Sequence, residues 1–386
     1  MQVYMDNAAT SQRKPETVLK AMEQFFKEIN CNPGRGGYEL SLEAGRRVIE
    51  ARAALAGFFS AEDPGQVVFT PNITVALNIA LKGLLTQGDH VLITGLEHNA
   101  VVRPLTALSK ERGVTYTVLP ADSRGIVDPQ AVIEAVGPNT RMIVATHASN
   151  VCGTIVPLEE MGKLAKEYGL YFVIDSAQTA GCLPLDFEGL NASVLAFTGH
   201  KHLLGPMGIG GFCVKKEVAE RMQPLYEGGT GSISDREEQP GFLPDKFESG
   251  TLNTLGIVGL GAAVEYLRSI GVDKVRAKEM ELTGKLLNGL RELPGITIYG
   301  PQDPRLQTGT VALNMHGIDN AELCYVLDQK FGIMTRPGLH CAPLAHKTLG
   351  TFPEGVLRLS LGHFTTEEDI DYVLDCLRKV CQALTA

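Results

Sequence analysis

The chain has 386 residues, a formal net charge of −9 and no tryptophan. Apolar residues make up 44% of it, as in an ordinary globular protein, and the length suggests about two domains. No block of lysine or arginine stands out, which argues against a nucleic-acid-binding surface.

The first seven residues lack the charged start and apolar core of a secretory signal, and no apolar run could span a bilayer. We therefore expect a soluble, cytoplasmic protein. Its eight cysteines are scattered without a CxxC pair, which disfavours both a disulfide framework and a zinc site. Cys213, Cys324 and Cys376 lie in apolar runs and are predicted core residues.

Between about residues 65 and 215, apolar strands alternate with helical patterns. The predicted strands are 66–69, 90–94, 115–119, 141–146, 171–175 and 193–198, and the predicted helices are 72–85 and 157–168. This alternation predicts a mostly parallel sheet covered on both faces. Ligands in such sheets bind at the carboxyl ends of the strands.

The pattern changes after Tyr226, where residues 227–232 form a polar, glycine-rich loop. A predicted helix at 255–269 could connect two domains. Beyond it, predicted strands at 310–314 and 356–361 alternate with helices in a smaller unit. The last predicted helix starts with the capping-box pattern at 365–368 and keeps apolar residues at helical spacing.

Two residues at predicted strand ends suggest a specific chemistry. Asp175 ends one apolar strand, and Lys201 follows the next strand on a tight turn with glycines nearby. Alone, such an Asp is usually a helix cap and such a lysine is usually a solvated loop residue. Together they fit pyridoxal phosphate (PLP) chemistry, in which a lysine forms a Schiff base and an Asp holds the pyridinium nitrogen.

Other residues could complete such a site. The helix start at Ile73 and Thr74 offers backbone amides and a hydroxyl to a phosphate, although it could equally be a plain helix cap. His98 could stack on a pyridine ring and exchange protons, although it could also be an ordinary loop histidine. Gln178 could donate to the cofactor's phenolate oxygen, and Asn150 could point into the same crevice.

Several common motifs are absent from the sequence. It contains no P-loop, no G-x-G-x-x-G that opens a helix after an early strand, and no H-E-x-x-H. His200 and His202 flank Lys201 without a carboxylate, so no metal site is predicted.

Seven stretches in family order carry a family resemblance. They are Tyr4–Thr10, Glu97–Ala100, His147–Thr154, Asp175–Gln178, Thr198–Lys201, Phe247–Thr254 and Arg336–Ala342. On these motifs the chain resembles the cysteine desulfurases and selenocysteine lyases of the class V aminotransferase family, a branch of the fold-type I PLP enzymes.

The resemblance implies an α/β fold of two domains. The large PLP-binding domain, expected at 14–255, would hold a mostly parallel, seven-stranded sheet. The smaller α+β domain would combine 1–13 with 256–386. The resemblance also implies a homodimer, with L-cysteine or selenocysteine as substrate and a protein or thiol as sulfur acceptor.

The resemblance also assigns roles to individual residues. Lys201 would form the Schiff base, Asp175 would pair with the ring nitrogen, His98 would stack on the ring and Gln178 would meet the phenolate oxygen. The phosphate ligands would be Thr74, Thr198 and His200, with Thr251 from the opposite subunit. Asn150, Arg358 and Arg336 would bind the substrate, because the arginine fork suits a carboxylate. An isolated arginine in a strand, as Arg358 is, would more often form a structural ion pair.

Cys341 distinguishes the activities within the family. A desulfurase needs a thiolate to take the substrate's sulfur, and the positive neighbours of Cys341 favour a thiolate. The surrounding sequence resembles the selenocysteine-lyase-like branch, although Leu339 replaces the histidine that is commoner there. We expect the conversion of L-cysteine to L-alanine with a persulfide on Cys341. Selenocysteine lyase, another class V aminotransferase and a catalytically silent sulfur-relay protein remain the alternatives.

Overall fold

The computed structural model describes residues 1–34 and 36–385. Its strands are β1 (Val3–Tyr4), β2 (Val67–Thr70), β3 (His90–Thr94), β4 (Thr115–Leu119), β5 (Thr140–Thr146), β6 (Tyr171–Asp175), β7 (Val194–Thr198), β8 (Gly210–Val214), β9 (Ile296–Tyr299), β10 (Thr310–Met315), β11 (Ile333–Met334), β12 (Arg336–Gly338) and β13 (Val356–Ser360). Its α-helices are α1 (Glu16–Glu28), α2 (Glu39–Phe59), α3 (Ile73–Leu84), α4 (Asn99–Arg112), α5 (Ala131–Ala135), α6 (Leu158–Glu167), α7 (Lys216–Arg221), α8 (Thr254–Ile270), α9 (Val272–Arg291), α10 (Asn320–Phe331), α11 (Pro343–Leu349) and α12 (Glu367–Thr385).

The larger sheet has seven strands in the order β2-β8-β7-β6-β5-β3-β4. Strands β7, β6, β5, β3 and β4 pair in parallel, and β8 pairs antiparallel with both of its neighbours, β2 and β7. The sheet is therefore mostly parallel, with β8 as the strand of opposite direction. The carboxyl ends of β3, β5, β6 and β7 lie along one edge.

Both faces of this sheet are buried. Alternate residues of one strand enter different apolar clusters: Leu92 belongs to one, and Val91 and Ile93 belong to the other. Because both faces are covered, the central strands are almost wholly apolar. The rigid sheet fixes the positions of the polar residues that follow each strand end.

A smaller, antiparallel sheet has the order β12-β13-β10-β9. Its apolar core includes Leu313 and Leu359, together with Leu286 of α9 and Ile370 of α12. The N-terminal segment joins this unit, because β1 pairs in parallel with β11 and Asp6 bridges to Ser360. The proposed boundaries at 14–255, with 1–13 and 256–386 in the second domain, stay a prediction.

The predicted elements all exist, and most bounds differ by one or two residues. Gln66 belongs to a 3₁₀ turn instead of a strand. Pro71 precedes the first turn of α3, because Asn72 is its N-cap. The capping box of α12 is shifted by one residue, since Thr366 and Asp369 exchange backbone-to-side-chain hydrogen bonds. Cys213 and Cys376 are buried as predicted, whereas Cys324 is only half-buried.

Among the described residues, no single helix has both the length and the apolar character needed to cross a membrane. Only α8 and α9 taken together reach that length and composition, and they meet at an angle of 78°.

A buried ion pair fastens the segment before α8 to the large sheet. Arg52 of α2 donates two hydrogen bonds to Glu248, each of 2.8 Å. The same carboxylate accepts from the backbone amide of Phe69 in β2 at 2.6 Å, and the Arg52 guanidinium lies 4.6 Å from the Phe69 ring centre. This bidentate contact holds the chain three residues before Thr251.

Removing one member of this ion pair should destabilise the folded protein. We expect Glu248→Ala to lower the free energy of unfolding by about 3–5 kcal/mol, because it leaves the Arg52 charge buried without a partner. Denaturant unfolding monitored by circular dichroism measures the change. Glu265→Ala, which breaks an exposed pair with Arg268, is the control and should have a much smaller effect. Equal losses in the two variants would contradict the structural role of Arg52 and Glu248.

Candidate active site

Asp175 and Lys201 meet at the carboxyl edge of the large sheet. Strands β6 and β7 are neighbours, with Asp175 opposite Ala196, and the turn after β7 carries Lys201. Asp175 is buried, and its carboxylate accepts a 2.9 Å hydrogen bond from the backbone amide of Ala177. The sheet thus brings the two predicted residues to one place.

Lys201 and Asp175 each affect the pKa of the other. Burial lowers the pKa of Lys201 to about 8, and the charges of Arg358 and Arg336 act in the same direction. The Asp175 carboxylate opposes that shift. Burial in turn raises the pKa of Asp175, while the Ala177 amide and the Lys201 charge oppose the rise. A buried amine that can lose its proton near neutral pH is suited to nucleophilic or base chemistry.

His98 is the N-cap of α4, next to the end of β3. Its Nδ1 accepts a 3.0 Å hydrogen bond from the amide of Ala100. Burial, with the charges of Lys201 and Arg336, lowers the pKa of His98 to about 4, so the ring is neutral at pH 7. Since Nδ1 is an acceptor, the ring proton is on Nε2.

The predicted phosphate end lies at the start of α3 and in the turn after β7. Asn72 caps α3 through the amide of Val75, which leaves the amides of Ile73 and Thr74 in the first turn for an anion. Thr74 is exposed. Burial lowers the pKa of His200 to about 4, so this ring is also neutral.

The residues present fit PLP. Among the described residues, Thr198 Oγ1 and His200 Nδ1 are buried polar atoms without a hydrogen-bond partner. Buried polar groups are nearly always paired, so two such atoms beside a helix start suit an external phosphate. With Lys201 and Asp175 nearby, the site has a group for each polar end of the cofactor.

Gln178 is buried close to the N-terminal segment. Its Nε2 donates to the carbonyl of Ala8 at 3.1 Å, and its Oε1 has no partner. One hydrogen on Nε2 therefore remains available for the phenolate oxygen of the cofactor. That contact stays a prediction.

Arg358 lies in β13 and is 1% exposed. It forms an ion pair with Asp6 and donates to the carbonyl of Asn150 at 2.9 Å, while its Nε has no partner among the described residues. The structural ion pair considered from the sequence is therefore present. Binding of a substrate carboxylate by Arg358 and Asn150 stays a prediction. Arg358 would then have to bind both Asp6 and the substrate carboxylate.

Arg336 lies directly opposite Arg358 across β12 and β13. Its guanidinium makes no ion pair with a described carboxylate, although Arg336 and Arg358 both act on the pKa of Lys201. Two neighbouring cations that both act on Lys201 favour an anionic ligand.

Cys341 is exposed on the loop after β12. Its carbonyl accepts a 2.8 Å hydrogen bond from the amide of Asn99, the residue that follows His98. The Asn150 side chain donates to the carbonyl of His340 at 2.7 Å. The loop is thus tied to the segments that follow β3 and β5, at the edge that carries Lys201.

Thr251 is the predicted phosphate ligand that the resemblance assigns to the opposite subunit. It is exposed on the irregular segment before α8. An exposed position suits a residue that acts on a neighbouring subunit, but that role stays a prediction.

Behind the Lys201 turn, possible metal ligands come together. Donor atoms of Cys182, His202 and Glu279 lie within 4.8 Å of one another. Glu279, however, is already paired with Arg276 at 2.9 Å, which occupies the carboxylate. Of these three residues, only His202 stood out in the sequence, because it lies beside Lys201, and no local pattern links it to Cys182 or Glu279.

The roles of Asp6 and Lys14, which contact site residues, and of Glu97, which is buried next to His98 in the chain, were not predicted from the sequence. Asp6 and Glu97 lie within two of the stretches that carry the family resemblance, and this position was the only indication of their importance in the sequence. Lys14 carried no signal in the sequence. It donates to the carbonyl of His200 at 2.9 Å, and burial lowers its pKa to about 8.

Comparisons with known proteins agree with this arrangement. The family described as "Aminotransferase class-V" matches residues 3–373. A "Probable cysteine desulfurase" from Methanothermobacter thermautotrophicus is 37% identical over 383 residues, which cover 98% of this chain and 94% of that protein.

Solved structures are similar over the whole length. The apo structure of a cysteine desulfurase from Thermococcus onnurineus NA1 has a TM-score of 0.93 and 31% identity, covering 99% of this chain and 95% of the other. The cysteine desulfurase CsdA (S-sulfonic acid) from Escherichia coli has a TM-score of 0.88 and 27% identity, with coverages of 99% and 95%.

These matches confirm the predicted fold class and the family resemblance. The chain therefore belongs to the class V aminotransferase family, and it has the fold of the cysteine desulfurases within that family.

Proposed function

We propose that the protein is a PLP-dependent cysteine desulfurase, which converts L-cysteine to L-alanine and transfers the sulfur to Cys341 as a persulfide. The observation that carries this proposal is the hydrogen bond from the Asn99 amide to the Cys341 carbonyl. It ties the backbone of the proposed sulfur nucleophile to the residue that follows His98, at the sheet edge that carries Lys201 and Asp175. The relatives named as cysteine desulfurases support the same activity.

PLP, when bound, supplies an electron sink that stabilises negative charge at the substrate's Cα. Lys201 would be its covalent anchor and, once displaced by the substrate amine, the base that takes the Cα proton. Its lowered pKa suits that role. Asp175 would hold the positive charge of the ring nitrogen. His98 would lie against the face of the cofactor ring. It would donate a hydrogen bond from Nε2, since its Nδ1 accepts one from the amide of Ala100.

The sulfur step uses the Cys341 thiolate. Its Sγ would form a bond to the substrate sulfur while the bond between that sulfur and Cβ breaks. The carbon fragment would keep the electron pair, take up a proton and leave as alanine. The sulfur would remain on Cys341 until an acceptor thiol or protein removes it.

We further propose a cytoplasmic homodimer. The described residues form no disulfide, which suits a reducing compartment. The dimer is proposed because the family resemblance assigns Thr251 to the phosphate of the neighbouring subunit, and its exposed position agrees with that role.

The sulfur step predicts a selective effect of Cys341→Ala. We expect this variant to bind PLP normally and to lose alanine formation from cysteine by at least about 100-fold, because the sulfur has no acceptor. Alanine release measures activity, and visible absorbance measures bound cofactor. Cys324→Ala, at a half-buried cysteine of α10, is the control and should keep full activity. Full turnover of cysteine by Cys341→Ala would exclude the persulfide step, and selenocysteine assayed in parallel would test for lyase activity.

The lowered pKa of Lys201 predicts how cofactor loading depends on pH. Only the neutral amine attacks the PLP aldehyde, so the loading rate of the apoenzyme should rise with pH and level off above about 8. Stopped-flow absorbance measures the rate. Asp175→Asn removes the carboxylate that raises the Lys201 pKa and should move the inflection to lower pH. A rate that keeps rising tenfold per pH unit up to pH 10 would contradict the buried amine. Borohydride reduction followed by peptide mapping should locate the pyridoxyl group on Lys201.

The dimer proposal predicts complementation between subunits. Thr251→Ala should weaken PLP binding about tenfold, because one hydrogen bond to an anion is lost. In a mixed dimer of Thr251→Ala with Lys201→Ala, one site would have both Lys201 and the partner's intact threonine. Equilibrium dialysis should find wild-type affinity at that site. If the affinity there remains that of the Thr251→Ala homodimer, the threonine acts within its own chain.

A further inference from the structure

A buried carboxyl group outside the proposed chemistry lies beneath the His98 loop. Glu97, between β3 and α4, has a fully buried side chain. Its Oε1 accepts a 2.7 Å hydrogen bond from the Thr94 hydroxyl and a 2.8 Å hydrogen bond from the Thr146 amide. One carboxyl oxygen thus connects the ends of β3 and β5.

This connection reaches the rest of the site. Thr146 lies opposite Asp175 in the pairing of β5 with β6. The two residues that follow Glu97 also belong to the site. His98 comes directly after it, and the amide of the next residue, Asn99, donates a hydrogen bond to the Cys341 carbonyl. A shift of Glu97 would therefore move the ring of His98 and the anchor of the cysteine loop together.

The surroundings of Glu97 favour the uncharged acid. No described lysine, arginine or histidine forms an ion pair with it, and its Oε2 is buried without a partner. A buried, unpaired carboxylate is far more costly than a neutral acid that lacks one hydrogen bond. The contacts from β3 and β5 are an uncharged hydroxyl and a backbone amide, and from β6 the Asp175 carboxylate faces Glu97.

The pKa values agree with this charge state. Burial and the Asp175 charge raise the pKa of Glu97 to about 8, although its two hydrogen bonds act in the opposite direction. His147, next to Thr146, has its pKa lowered to about 3 by burial and is neutral, so it supplies no compensating charge.

We infer that Glu97 is a positioning residue that works in its protonated form, fixing the His98 loop to the strand ends that carry Thr146 and Asp175. The inference rests on the proposed function. As pH rises through about 8, Glu97 loses its proton beside a second carboxylate, and the loop loses its defined position. Activity and the ordered cofactor signal should both decline in that range.

Two variants of the holoenzyme test this inference. Glu97→Gln keeps the Oε1 acceptor and places an uncharged donor at the second position. Its kcat/KM at pH 7 should stay within about threefold of wild type. Glu97→Leu has a similar size but no acceptor, so kcat should fall at least about tenfold with little change in KM, because the loop is displaced.

The pH profile supplies a readout that a merely structural role would not change. The visible circular dichroism of bound PLP should decline above about pH 8 in wild type but not in Glu97→Gln, since the amide does not ionise. Glu160→Gln, at an exposed glutamate of α6, is the control and should decline as wild type does.

A Glu97→Gln variant that retains the alkaline decline, or that is as impaired as Glu97→Leu, would overturn the inference. This result differs from failure of the proposed function, in which the wild-type protein itself would form no visible band with PLP.

Discussion

The electrostatic coupling of the Lys201 amine with the Asp175 carboxylate is the interaction on which the rest of the site depends. Burial makes the charged form of each residue less favourable, and each charge partly restores the other. The two side chains share one edge because β6 and β7 are adjacent and parallel. Thr198 and His200, on the turn with Lys201, then have buried polar atoms that a phosphate can satisfy. The predicted chemistry is thus concentrated at an edge where the sheet supplies rigidity.

The N-terminal segment closes this edge and links it to the smaller unit. The carbonyl of His200 accepts hydrogen bonds from the amide and hydroxyl of Ser11 and from the Lys14 amine. A few residues earlier, Asp6 pairs with the buried Arg358 of β13. Any movement of the small sheet against the large one therefore acts on the turn that carries Lys201. An anion bound by Arg358 would share the guanidinium with Asp6.

Local sequence patterns predicted the residues of the site better than the contacts that link those residues to distant parts of the chain. The apolar strands and their order were enough to expect Asp175 and Lys201 together, because parallel neighbours end at the same edge. The pair of Asp6 with Arg358 spans nearly the whole chain, and no local pattern encodes it. The predicted helix at 72–85 included Asn72, whereas Asn72 is the N-cap of α3 and its side chain accepts a hydrogen bond from the amide of Val75. Both errors arise where tertiary contacts or side-chain capping outweigh spacing.

The conformation of the cysteine loop determines how sulfur transfer can proceed. His340 and Cys341 have φ angles of +50° and +56°, a left-handed conformation that costs a non-glycine residue on the order of 1 kcal/mol or more. The loop keeps it because Asn99, Asn150 and the carbonyl of Arg336 all hold its backbone or the His340 ring. Such a loop cannot swing far without losing these bonds together. In the proposed reaction, the substrate sulfur would therefore have to come to Cys341, whose exposed side chain could then meet an acceptor from solvent without movement of the backbone.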